Sequence, residues 1–135
     1  LPQAKFVLTV SPVRHIKDGV VENNLSKSVL LQAVHQLTET AQTYYFPAYE
    51  LVIDQLRDYR FYDTDLVHPN AQAIQFVWQS FISTCFDNQS QAFVNDMYQL
   101  YTMQNHRVMH EGTQAHQKFI QALAQKQAEI KAKYF

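Results

Sequence analysis

The stretch DTDLVHPN, residues 63–70, sets Asp65 three positions before His68, with Pro69 directly after it. A carboxylate at this spacing can fold back onto an imidazole, accept a hydrogen bond from Nδ1 and leave Nε2 facing outward as a base. The same residues have a plainer reading, in which Asp65 only caps the helix that Pro69 announces. A second group lies in HRVMHEGTQAH, where His106 and His110 fall four apart on one helical face, with Glu111 and His116 nearby. Two imidazoles at that spacing can hold zinc, but a closed site needs a third and a fourth ligand in register. HExxH is absent, so these residues read as polar helix ends and the expectation is no metal. Cys85 sits among Phe81, Ile82 and Phe86, which reads as a small buried side chain rather than a reactive thiol.

Such groups need a scaffold, and the bulk numbers bound it. A chain of 135 residues suits one small domain that buries roughly two-thirds of its unfolded surface. Its 47% hydrophobic content supplies a core and argues against disorder. Lys+Arg 11 against Asp+Glu 12 leaves a net charge of -1, so no basic excess draws the chain to nucleic acid or an anionic membrane. One cysteine excludes an internal disulfide framework. With two glycines, Gly19 and Gly112, the chain cannot build a phosphate-cradling P-loop or dinucleotide fingerprint, and the G-x-S-x-G elbow is also missing. None of these patterns calls for a cofactor.

KFVLTV, residues 5–10, is a short β-branched run ending at Ser11-Pro12 and predicts a strand buried on both faces. A polar loop follows, then a helix starting near Ser26, with Val29, Leu30, Ala33, Val34 and Leu37 as its inward stripe. Ser26 and Ser28 read as its cap and first turn; Asn23 and Asn24 read as caps or substrate contacts. TYYFPAY predicts a second strand stopped by Pro47, so strand, helix and strand make a parallel crossover. ELVIDQLRDY predicts a short helix, and Pro69 the first turn of a longer one facing inward through Ile74, Val77, Trp78, Phe81, Ile82 and Cys85. DNQS, residues 87–90, marks a boundary between an α/β part at 1–86 and a helical tail at 87–135. In the tail Val94, Met97, Tyr101 and Val108 form one stripe and Phe119, Leu123, Ile130 and Tyr134 another, with Gly112 as a stop and Thr113 as an N-cap.

In open α/β sheets ligands gather beyond the carboxyl ends of the strands. Ser11, Arg14 and His15 lie just past the first strand, and Asp65 and His68 follow the second. Arg14 and His15 are therefore candidate substrate contacts, as is Ser11. As a nucleophile Ser11 is poorly placed, because Pro12 lacks the N–H that helps form an oxyanion hole. Tyr44, Tyr45, Phe46 and Tyr49 read as core and rim, or as the lining of a sugar or acyl pocket.

LTVSPVRH, DG, ENNLSKSVL, YFPAYELVIDQLRDYRFY and DTDLVHP, in that order, resemble the GSCFA-domain family in its bacterial form, from about Lys5 to Phe86. That family is similar to the SGNH, or GDSL-type, hydrolases. The resemblance implies a partial SGNH, flavodoxin-like parallel sheet followed by an α-helical tail. It also implies that Asp65 and His68 supply the acid and base of a Ser-His-Asp triad. The Gly-Ser-Cys box carrying the nucleophile, and the blocks carrying the oxyanion-hole glycine and asparagine, are not in these residues.

Two functions follow. One is a part of an esterase or acyl hydrolase acting on a small acyl-ester or acylated-sugar substrate, inert by itself. The other is a binding or assembly module that keeps the fold without turnover. Expected partners are a missing N-terminal half or a second copy, with no nucleic acid and no membrane span. The lack of a secretory leader predicts a cytoplasmic protein, although a chain starting at Leu1 leaves export open.

Overall fold

The structure, a computed structural model, describes residues 3–39, 42–107 and 112–135. Its elements run β1 (Phe6–Leu8), α1 (Val20–Leu37), β2 (Thr43–Tyr45), α2 (Ala48–Glu50), α3 (Ala71–Cys85), α4 (Asn88–Gln104) and α5 (Gln114–Tyr134). A π-helical turn, Leu51–Leu56, extends α2, and a 3₁₀ turn at Tyr59–Phe61 precedes α3. The chain is mixed α/β with mostly helix.

The two strands pair in parallel, Phe6 opposite Thr43 and Leu8 opposite Tyr45. Parallel strands cannot be joined by a tight turn, and α1 supplies the crossover that the sequence predicts. The strand is shorter than predicted and is not buried on both faces. Phe6 is 53% and Val7 45% exposed, because a three-residue ladder with one partner strand offers little surface to cover them.

Helix α1 starts at Val20, not near Ser26. Gly19, at φ 92°, turns the chain into the helix without a side-chain cap, a conformation that costs glycine little. Asn23, Asn24, Ser26 and Ser28 therefore lie in the helix body, and Ser28 Oγ donates back to the Asn24 carbonyl at 2.8 Å. The predicted inward stripe is also overturned: Val29, Leu30 and Leu37 are exposed, while Lys27 is the buried residue of α1. Helix α3 begins two residues after Pro69. Asn70 is the cap, its Oδ1 accepting from the N–H groups of Gln72 and Ala73 at 3.1 and 3.2 Å. On α3, Ile74 and Trp78 are exposed and Ala73 is buried. Cys85 is exposed rather than buried.

The chain divides into two compact units, Leu1–Phe81 and Ile82–Phe135. In the first, Val10, Phe46, Ala48, Val52, Tyr62 and Ala73 form the core. Phe81 packs edge-on to Phe46 with centroids 5.1 Å apart. The second is an antiparallel helical hairpin. Early α4 meets late α5 through Phe93 and Tyr134, and His106, after α4, meets Phe119 of early α5. Ile130 and Leu100 are buried there. Asp96 is the polar tie, bonded by Lys126 and Lys133 at 2.7 and 3.0 Å and by the Tyr134 hydroxyl at 2.8 Å. Helix α4 stops at Gln104, so Gly112 is not its terminator; Thr113 does cap α5, accepting from the His116 N–H. Val108, His110 and Glu111 lie outside the described residues.

Candidate functional site

The loop between the 3₁₀ turn and α3 is tied at its base by the backbone. Asn70 N–H donates to the Phe61 carbonyl and Asp63 N–H to the His68 carbonyl, both at 2.8 Å. Within it Leu66 adopts φ 57°, a left-handed conformation that costs a non-glycine residue roughly 1–2 kcal/mol. That bend lets Asp65 reach forward. Its Oδ1 accepts from the N–H groups of Val67 and His68 at 2.9 and 3.0 Å, and its Oδ2 lies 2.7 Å from His68 Nδ1. Asp65 therefore does not cap α3; Asn70 does.

The His68 ring donates to a carboxylate already fixed by two backbone donors. These bonds, with the imidazole's the largest influence, hold the Asp65 carboxyl down to about 2 from its ordinary value. Asp65 is thus a full anion at neutral pH, and an anion on Nδ1 fixes the tautomer that leaves Nε2 with a lone pair. Among the described residues nothing is bonded to Nε2. The His68 side chain is 60% exposed, so the nitrogen is reachable.

His68 stands on the wall of a cavity of about 830 Å³ that is otherwise almost wholly apolar, with Val7, Phe46, Val77, Trp78 and Phe81 among its lining. Pro12 and Val13 bring the loop after β1 to that wall. Arg14 and His15 face elsewhere, into a second cavity of about 310 Å³, although Arg14 N–H bonds the Val67 carbonyl at 3.3 Å and joins the two loops. The Arg14 guanidinium lies over the rings of Tyr59 and Tyr62, 5.3 and 5.0 Å from their centroids. Ser11 Oγ accepts from the Val13 N–H at 3.2 Å, a local turn bond.

Of the aromatic cluster, Phe46 lines the large cavity and Tyr49 the second. The Tyr45 hydroxyl donates to Glu50, and burial followed by that bond pushes it well above the usual phenol range.

A family model described as the GSCFA family matches residues 1–81. The chain belongs to the GSCFA family. No curated protein and no solved structure matches the chain. The matched span of this GSCFA chain ends where its first compact unit ends, and it contains Asp65, His68 and both cavities.

Among the described residues no group of three or more His, Cys, Asp or Glu could hold a metal ion. His116 instead uses Nδ1 to accept from the Gly112 N–H at 3.2 Å. Among the described residues no helix is long and apolar enough to cross a membrane. Sequence reasoning passed over Lys27 and Asn70. The signal for Asn70 was present, an Asn directly before a helical period. Lys27 carried none, since a lysine between two serines reads as solvated surface.

Proposed function

We propose that this GSCFA chain is the base-bearing part of an SGNH-type serine ester hydrolase, a partial flavodoxin-like unit whose nucleophile comes from a Gly-Ser-Cys segment outside these 135 residues. The 2.7 Å contact between Asp65 Oδ2 and His68 Nδ1 supports this most strongly. In the reaction His68 Nε2 takes the proton of the serine hydroxyl as its oxygen attacks the ester carbonyl. It then hands that proton to the departing alcohol. Water enters, His68 accepts its proton in turn, and the acyl-enzyme bond breaks to release the acid and regenerate the serine. Asp65 holds the ring and balances the imidazolium.

The substrate is a small acyl ester or an acylated sugar. The apolar cavity beside His68 favours an acyl group on that side, because burying methylenes there gains about 0.8 kcal/mol each. Ser11 does not serve as nucleophile: its hydroxyl is engaged by Val13 N–H, and Pro12 offers no donor to an oxyanion.

Labelling with a serine-directed fluorophosphonate tests the reading. This chain alone is expected to stay unlabelled. The protein carrying the Gly-Ser-Cys segment is expected to label at that serine, and to lose the label in His68→Ala. Labelling that survives the loss of His68, or label found on Ser11, contradicts it.

A further inference from the structure

We propose that the second cavity of the first unit, the one lined by Arg14, His15 and Lys27, is a binding site for an oxyanion: a phosphate, sulfate or carboxylate group of a ligand. The cavity measures about 310 Å³, and its wall includes an arginine, a lysine, an imidazole, two asparagines and no carboxylate. The chain as a whole carries a net charge of -1, so this concentration of positive charge is local.

Lys27 is the anchor. It is 8% exposed, and burial lowers its affinity for a proton. Its ammonium donates to the Ser11 carbonyl and sits 5.9 Å from the Tyr49 ring centroid, and it forms no ion pair among the described residues. An ammonium has three donors, so two remain for a ligand. A buried lysine without a counter-ion is costly, and an anion in the cavity removes that cost.

The surroundings are built in the same sense. Among the described residues Arg14 also has no carboxylate partner, and its guanidinium carbon lies 5.3 and 5.0 Å from the ring centroids of Tyr59 and Tyr62, contacts that consume none of its N–H donors. Asp18, the acid on the adjoining loop, is 3.2 Å from His15 Nδ1 and does not line the cavity. Gly19 and Val20 bring the start of α1 to the wall. This helix has no side-chain cap, and its first internal bond is Asn23 N–H to the Gly19 carbonyl. The N–H groups of Val20 to Glu22 are therefore without helical acceptors, and they carry the positive end of an 18-residue dipole. Asn23 Oδ1 accepts from His15 N–H at 2.9 Å and locks the loop to the helix, so the cavity is preformed. Pro12 lines both cavities, which makes them neighbours. The site does not depend on the ester hydrolase reading.

The test is a ¹H–¹⁵N titration of the chain with inorganic phosphate, with acetate in a second series and chloride at matched ionic strength as the control. Saturable shifts at Val20, Val21 and His15 with phosphate, acetate or both support the site. Phosphate alone assigns it to a tetrahedral oxyanion, and acetate alone to a carboxylate. Arg14→Gln is expected to weaken the binding about tenfold or more, and Lys27→Met to abolish it. Lys27→Arg keeps the charge, and is expected to retain binding whether or not Lys27→Met folds. Shifts that do not saturate, that chloride reproduces, or that persist unchanged in Arg14→Gln overturn the proposal.

Discussion

At the scale of single residues, Asp65 shows what the short loop does to one carboxylate. Its carboxyl is depressed to about 2 by the His68 ring and then by the N–H groups of His68 and Val67. The folded value lies below the ordinary one. The stabilisation it gives the loop is therefore complete above the ordinary value and lost as pH falls through about 2. A carboxyl-carbon NMR titration is expected to show that low midpoint; a midpoint at the ordinary value would mean that the imidazole is not bonded. Tyr62 makes the opposite case, for its hydroxyl is buried without a hydrogen-bond partner among the described residues. An unsatisfied buried hydroxyl costs about 1–3 kcal/mol, so Tyr62→Phe is expected to leave stability unchanged or to raise it by about 1 kcal/mol in urea unfolding. A loss of that size would reveal a bond the hydroxyl makes.

At the scale of elements, Asn70→Ala is expected to cost about 1–2 kcal/mol, since it removes the α3 cap as well as the Nδ2 bond to the Arg60 carbonyl. Equal unfolding midpoints would show that α3 does not need the cap. In the hairpin, Lys126, then Tyr134 and Lys133, hold the Asp96 carboxyl well below the usual carboxylate range. Its contribution is present above the ordinary carboxylate value and is lost on acidification through the depressed one. Asp96→Asn is expected to lower the melting temperature at neutral pH, with a gap to the parent that narrows in acid. The Asp65–His68 pair was legible in the sequence because it is local: four consecutive residues close it, with no distant partner. The parallel crossover was legible too, from a β-branched run and an aromatic run on either side of one helical period. The start of α1 was not, because Gly19 does by backbone geometry what sequence rules assign to Ser, Thr, Asp or Asn. Nor was the orientation of α1. Its apolar stripe predicted an inward face, but Lys27 is what this unit buries, through a carbonyl and an aromatic ring that lie far from it in sequence.

At the scale of the molecule, the first unit leaves apolar surface uncovered on β1 and α1, outside the cavity beside His68, including Phe6, Val29 and Leu30. Patches of that kind mark contact surfaces, and the free edge of a short strand recruits partners. The chain alone is therefore expected to self-associate in sedimentation velocity through its first unit. The stripe of Phe119, Leu123 and Ile130 is not the expected contact, because Ile130 is buried within the hairpin. A concentration-independent monomer would contradict this. The role proposed for His68, oriented by Asp65, is that of the base in an ester hydrolase completed by a Gly-Ser-Cys segment. The most direct measurement is kcat/KM for hydrolysis of a short-chain acyl ester by the protein containing that segment, compared with its His68→Ala and Asp65→Asn variants. His68→Ala is expected to lose roughly a thousandfold or more, Asp65→Asn a smaller but large factor, and both to remain folded at the assay temperature. Turnover within a few-fold of the parent in His68→Ala, with the fold intact, would remove His68 from the reaction.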